Sequence, residues 1–137
     1  MRIILLIALI LITGISAISQ NLIGYNSREI KDYMKENRGE MNLNTVTNTR
    51  YRYLKYSDNS DNQTLLFFLS PDSICNSIRM ICDRSIISEK KKEFDANYTK
   101  NGKNCWIEKR DKKIFIIELK EEEWSCVFTI KPEKYHP

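Results

Sequence analysis

The sequence predicts an α+β fold, built as tandem αβββ units with an antiparallel sheet and two helices packed on one face. Three observations predict it. Two polar, periodic stretches each open on a serine and stop near an Asn or Gly, as short amphipathic helices do. Six short runs rich in β-branched and aromatic residues follow, three behind each helix. The segments between those runs are short and polar, which suits hairpins and leaves each sheet one face for a helix to cover.

The chain begins outside that fold. Met1-Arg2 is followed by an apolar run from Ile3 to Ile12, then by small residues at Gly14, Ser16, Ala17 and Ser19. A basic start, a hydrophobic centre and a small-residue tail make residues 1–19 a secretory signal peptide. A spanning helix needs about 20 apolar residues, and this run is broken by Thr13-Gly14 and turns polar at Ser19-Gln20-Asn21. The cut falls after Ala17 or after Ser19. With no cysteine near it, a lipid anchor of the bacterial type is not expected. The processed chain is therefore expected in the periplasm or outside the cell, without a membrane span. Abundant Asn, Ile and Lys point to an AT-rich bacterial source.

Residues 20–137 form one domain, about 118 residues, enough for a single core. Ser27 is the expected cap of a first helix, with Glu29 in its first turn where the helix dipole favours negative charge. Ile30, Tyr33 and Met34 supply the apolar stripe, and Asn37 and Gly39 end the helix. Residues 40–48 read as polar loop. Strands are expected at Arg50–Tyr56, Thr64–Leu69 and Cys75–Cys82, separated by the turn cluster 57–62 and by Ser70-Pro71-Asp72-Ser73. Ser88 opens a second helix to Tyr98, with Asn101-Gly102 as its stop. Strands follow at Cys105–Lys109, Lys113–Leu119 and Trp124–Ile130. The halves 22–84 and 86–131 thus look like a repeat.

Leu22-Ile23-Gly24, Ser27, Glu29, Ile30 and Met34 resemble the opening helix of small exported proteins of the SmpA/OmlA type, and the tandem plan resembles the β-lactamase-inhibitor proteins grouped with them. The resemblance covers residues 22–34 and implies an exported binding or scaffold module. The chain departs from the pattern in lacking the lipid-anchor cysteine and a Gly-x-Pro near the first helix.

Chemistry-bearing residues are sparse. Cys75, Cys82, Cys105 and Cys126 in an exported chain raise the question of disulfides. Cys105 and Cys126 fall on strands with a third between them, about 9.5 Å apart, while a disulfide holds Cα atoms within roughly 7 Å. Cys75 and Cys82 lie on one strand, about 23 Å apart. Bridges, if formed, link Cys75 or Cys82 to Cys105 or Cys126; the alternative is four small buried thiols. The one histidine, His136, lies in the tail, which argues against Ser-His or Cys-His catalysis and against a zinc site of two cysteines and two histidines. No phosphate-binding glycine loop and no EF-hand pattern occurs. No cofactor is expected.

Arg50–Tyr56 interleaves basic residues with tyrosines. As a binding surface, Tyr51 and Tyr53 would stack on a ligand, with Trp106 as a further contact. Export and a formal charge that falls only from +4 to +3 on losing Arg2 argue against nucleic acid. Trp106 and Trp124 read first as core or sheet-face anchors. The expected function is a non-enzymatic binding or scaffold domain for a protein or envelope component. The alternatives are a secreted hydrolase inhibitor using a projecting loop at 57–63 or 120–123, and a small carboxylate-dependent hydrolase.

Overall fold

The structure, a computed structural model, describes residues 21–44 and 52–134. Helix α1 spans Ser27–Asn37. Its cap is Asn26, not Ser27: the Asn26 side chain accepts from the Glu29 N–H at 2.9 Å, and the Glu29 carboxylate accepts from the Asn26 N–H at 3.2 Å. This reciprocal box satisfies two donors that the first helical turn would leave open. Ser27 is already helical, so the cap sits one residue earlier than the hydroxyl suggested.

Strand β1, Met41–Asn44, occupies a stretch read as loop. Its sequence has little β-propensity. It is held from outside, by antiparallel pairing of Met41–Asn44 with Asp58–Lys55 and by Asn side chains bonded to Asn59 and Ser57. Strand β2 is Tyr53–Asp58, β3 Gln63–Leu69 and β4 Cys75–Asp83. The Arg50–Tyr56 strand is therefore shifted toward its C-terminus, and Arg50 and Tyr51 lie outside the described residues. A 3₁₀ turn, Arg84–Ile86, capped by Asp83, leads into helix α2, Ile87–Asn97. Ser88 is the second residue of α2 and makes no cap. The polar signal that the sequence placed at Ser88 is supplied by Asp83, through the Ser85 N–H at 2.9 Å. The helix stops at Asn97, and Gly102 (φ +103) instead turns the chain between β5, Thr99–Lys100, and β6, Cys105–Arg110. Strands β7, Lys113–Glu121, and β8, Ser125–Pro132, complete the chain. Asp111 (φ 48) and Lys112 (φ 65) form a left-handed two-residue turn between β6 and β7, the backbone that tight hairpins favour.

All eight strands join one antiparallel sheet in the order β1-β2-β3-β4-β8-β7-β6-β5. The fold is α+β, and each helix precedes four strands rather than three. The two meanders meet edge to edge where β4 pairs with β8. Alternation sends Leu65, Phe67, Ile78, Met80, Phe115, Ile117, Leu119 and Phe128 into one buried cluster with Ile30 and Met34 of α1 and Ile87 and Phe94 of α2. Phe94 lies at the centre, with ring contacts to Phe128 at 4.8 Å, Trp106 at 5.5 Å and Tyr98 at 5.5 Å.

The segment before α1 is built into the body. Asn21, Leu22 and Ile23 are buried. The Arg110 guanidinium lies over the Phe115 ring and donates to the Asn21 and Ile23 carbonyls. Gly24, at φ +94, turns the chain so that its N–H reaches the Cys75 carbonyl at 2.8 Å.

Candidate functional site

The residues singled out from the sequence do not converge. Tyr53 lies half-buried on the sheet face away from the core cluster, 6.1 Å from Phe68 in ring-centroid distance. Trp106 is fully buried, 0 % exposed, and its indole N–H donates to Asp95 Oδ1 at 2.8 Å. It cannot serve as a surface contact: its strand turns it inward, and the Asp95 carboxylate of α2 satisfies its one polar group. Tyr51 lies outside the described residues.

Cys75, Cys82 and Cys126 are buried, Cys105 is half-buried, and all four are free thiols. Cys82 and Cys126 are direct register partners across the β4–β8 seam. The neighbouring bond from the Asp83 N–H to the Asn62 carbonyl fixes the alternation and makes Cys82 and Cys126 a hydrogen-bonded pair of the ladder. Such pairs are the wider kind, with Cα atoms about 5.5 Å apart, and their Cβ atoms stand further apart than the roughly 3.8 Å mean of disulfides. Burial pushes Cys75 and Cys82 up to about 12 and raises Cys126. Thiols held protonated in this way are poor nucleophiles.

Among the described residues, two cavities differ in their carboxylates. A crevice of about 30 Å³ is lined by side chains of α1, α2 and the sheet centre, among them Tyr33, Met34, Phe94 and Phe128, and holds no carboxylate. A second cavity, about 450 Å³, holds Glu133 beside Arg110, Lys112 and Lys113. Glu108 is part-buried on β6. Desolvation raises its pKa, against the opposing effect of Asn21 and Arg110. No group of three metal-ligating side chains occurs among the described residues. No helix among them is long and apolar enough to cross a membrane.

The second sheet face is open but not bare. One register row across it reads Lys55, Leu66, Arg79, Thr129, Glu118, Cys105. Arg79 lies over the Phe68 ring at 5.5 Å, and Lys131 pairs with Glu118 at 3.5 Å. Charged side chains are thus interspersed with the half-buried Leu66 and Phe68 on this face.

What stands out is the β7–β8 hairpin. Its Glu122 N–H donates to the Ser125 carbonyl at 2.8 Å, which leaves Glu123 and Trp124 at the tip. Trp124 is 81 % exposed, in contrast to the buried Trp106. The expected role of Trp124 as a core or sheet-face anchor is therefore corrected: it lies in the turn before β8 and is mostly exposed. The base of the hairpin is tied down. Arg84 donates to the Glu122 carbonyl, Lys91 pairs with Glu121 at 3.8 Å, and Lys120 pairs with Glu122 at 3.8 Å. The tip thus presents one large aromatic among carboxylates on a braced support. The sequence held the signal, since Trp124 directly follows three glutamates in an expected turn. A tryptophan in such a place has no core to enter.

No protein-family model matches the chain, and neither a curated protein nor a solved structure matches it.

Proposed function

We propose that this chain is an exported, non-enzymatic binding domain that engages a protein or envelope component through the β7–β8 hairpin. The observation that carries the reading is Trp124. An exposed tryptophan costs solubility with no gain in folding, whereas at interfaces tryptophan is among the residues most enriched in binding hot spots. The bracing of Glu121 and Glu122 supports it further, because a fixed support lowers the ordering cost of docking. In this reading the two helix-plus-meander halves are tandem units whose helices cover the inner face of the sheet, a scaffold for the tip. The signal peptide reading fits the same picture: Asn21, two residues beyond a cut after Ser19, is 1 % exposed, so the processed chain starts at the folded body. The weak likeness to SmpA/OmlA-type modules points the same way.

The test is capture from envelope extract by cross-linking, with the exported protein and its W124A variant side by side. Bands recovered with the parent and lost with W124A, at unchanged stability, support the reading. Equal recovery by both refutes the role of the tip. A projecting hairpin also suits a hydrolase inhibitor that plugs a cleft. Inhibition of any enzyme in a β-lactamase and protease panel, abolished by W124A, would select that alternative.

A further inference from the structure

Strand β1 forms one free edge of the sheet. The bond from the Leu69 N–H to the Arg52 carbonyl, at 2.9 Å, sets the ladder alternation between β2 and β3. Leu54 and Tyr56 therefore direct their backbone groups to β3, and Lys55 and Ser57 direct theirs to β1. It follows that Leu43, opposite Tyr56, points its N–H and C=O outward, as Met41 points its C=O. The Met41 N–H is taken by the Arg38 carbonyl at 3.0 Å. An outward donor and two outward acceptors are thus presented at the edge, with no strand paired to them among the described residues. Unpaired edges of this kind accept an added strand.

Beside that edge runs a groove of about 480 Å³ between α1 and β1. Met34, Met41, Leu43 and Tyr56 give it an apolar floor, and Lys31 and Lys35 stand along the α1 side. Leu43 is 39 % exposed, one of the few large apolar side chains so placed among the described residues. Neither lysine is in a salt bridge with a described residue. Side chains of an added strand alternate between the two faces, so every second one would enter the groove and meet both methionines and the two cations. Methionine adapts to varied apolar partners, and the two lysines, one turn apart, favour carboxylates. A second copy of β1 would bring its own Lys31 and Lys35 against this pair, which disfavours self-pairing.

We propose that the α1–β1 groove binds an extended acidic peptide segment of a partner protein, added to the sheet as a ninth strand. This site is separate from the Trp124 hairpin and goes beyond the reading given for it. Main-chain bonds to Leu43 and Met41 set the register, the apolar floor takes alternate side chains, and Lys31 and Lys35 select acidic ones.

The experiment titrates the isotope-labelled exported protein with a capped eight-residue Val-Glu peptide, Val-Thr-Glu-Thr repeated twice so that Val and Glu share one face, and with a Val-Lys peptide, Val-Thr-Lys-Thr repeated twice, as control. Expected are shifts and hydrogen-exchange protection at the Leu43 amide with Val-Glu alone. K31E/K35E, two exposed changes, should weaken binding by about tenfold or more, while W124A leaves it unchanged. L43P, which removes the edge donor, should abolish it; where L43P fails to fold, the lysine variant carries the test. Equal binding of both peptides overturns the proposal, as does an unmoved Leu43 amide at about 1 mM peptide. So does a peptide-free dimer that already protects Leu43, which would make the edge an interface between copies.

Discussion

Replacing Phe94 by alanine should loosen helix α2 from the sheet. Phe94 is almost fully buried and contacts Trp106, Phe128 and Tyr98. Its ring packs α2 against Trp106 of β6 and Phe128 of β8. Truncating a buried phenylalanine costs about 3–5 kcal/mol, and three edge-on or tilted ring contacts place this site toward the upper end. Against a typical domain stability of about 5–15 kcal/mol, F94A should remain folded but shift far in urea. The assay is urea unfolding followed by circular dichroism and by tryptophan emission, in a W124F background so that emission reports Trp106 alone. The slope should stay constant while the midpoint falls, and Trp106 emission should shift to the red in the folded state as water nears the indole. K92A, an exposed change on the same helix, should stay within about 0.5 kcal/mol. A loss below about 1 kcal/mol for F94A, with Trp106 emission unmoved, would refute the claim that this aromatic cluster holds α2 to the sheet.

The remaining predictions concern the helix cap, one carboxyl and the thiols. N26A should cost about 0.5–2 kcal/mol by opening the capping box, and S27A much less; the reverse order in urea midpoints would restore Ser27 as the cap. Glu108 binds its proton more tightly folded than unfolded. Its contribution is therefore fully present below the unfolded carboxyl value, about 4.3, and is lost as pH rises through the higher folded value. E108Q should flatten stability over that window and gain stability near pH 7, measured as urea midpoints from pH 4 to 7.5; a parallel pH profile would contradict the shift. Iodoacetamide on the folded protein should modify Cys105 first, with Cys75, Cys82 and Cys126 reacting only after unfolding. A chain that takes up fewer than four labels when unfolded without reductant would reveal a bridge, with Cys82 and Cys126 the pair to check.

The parts legible in the sequence are those whose signal is local. Thr64–Leu69 and Cys75–Cys82 carry strong β-branched and aromatic content around a Ser-Pro-Asp-Ser turn, and both lie where the pattern put them. Lys113–Leu119 and the run ending at Ile130 do likewise. Boundaries that depend on competition between neighbours were less legible. Asn26 and Ser27 can each cap a helix, and the choice of Asn26 follows from its spacing to Glu29, which closes the box. β1 and β5 were illegible because Met-Asn-Leu-Asn and Thr-Lys have no strong preference and become strands by pairing with stronger neighbours. The candidate surface divided for the same reason. Trp106 and Trp124 are the same residue type on predicted strands of one meander, but strand parity buries the first, and β8 begins only at Ser125, which leaves the second in the turn.

By itself the sequence determined the α+β class and the places of the central strands, because composition and periodicity are written along the chain. Only the tertiary structure decided that the meanders join at β4 and β8 into one sheet, that Cys82 faces Cys126, that Trp124 stands in water, and that β1 leaves an edge beside Lys31 and Lys35. Each of these depends on which distant segments pair and in what register. That choice is made by burying all the apolar faces together, and no local stretch of the chain encodes it.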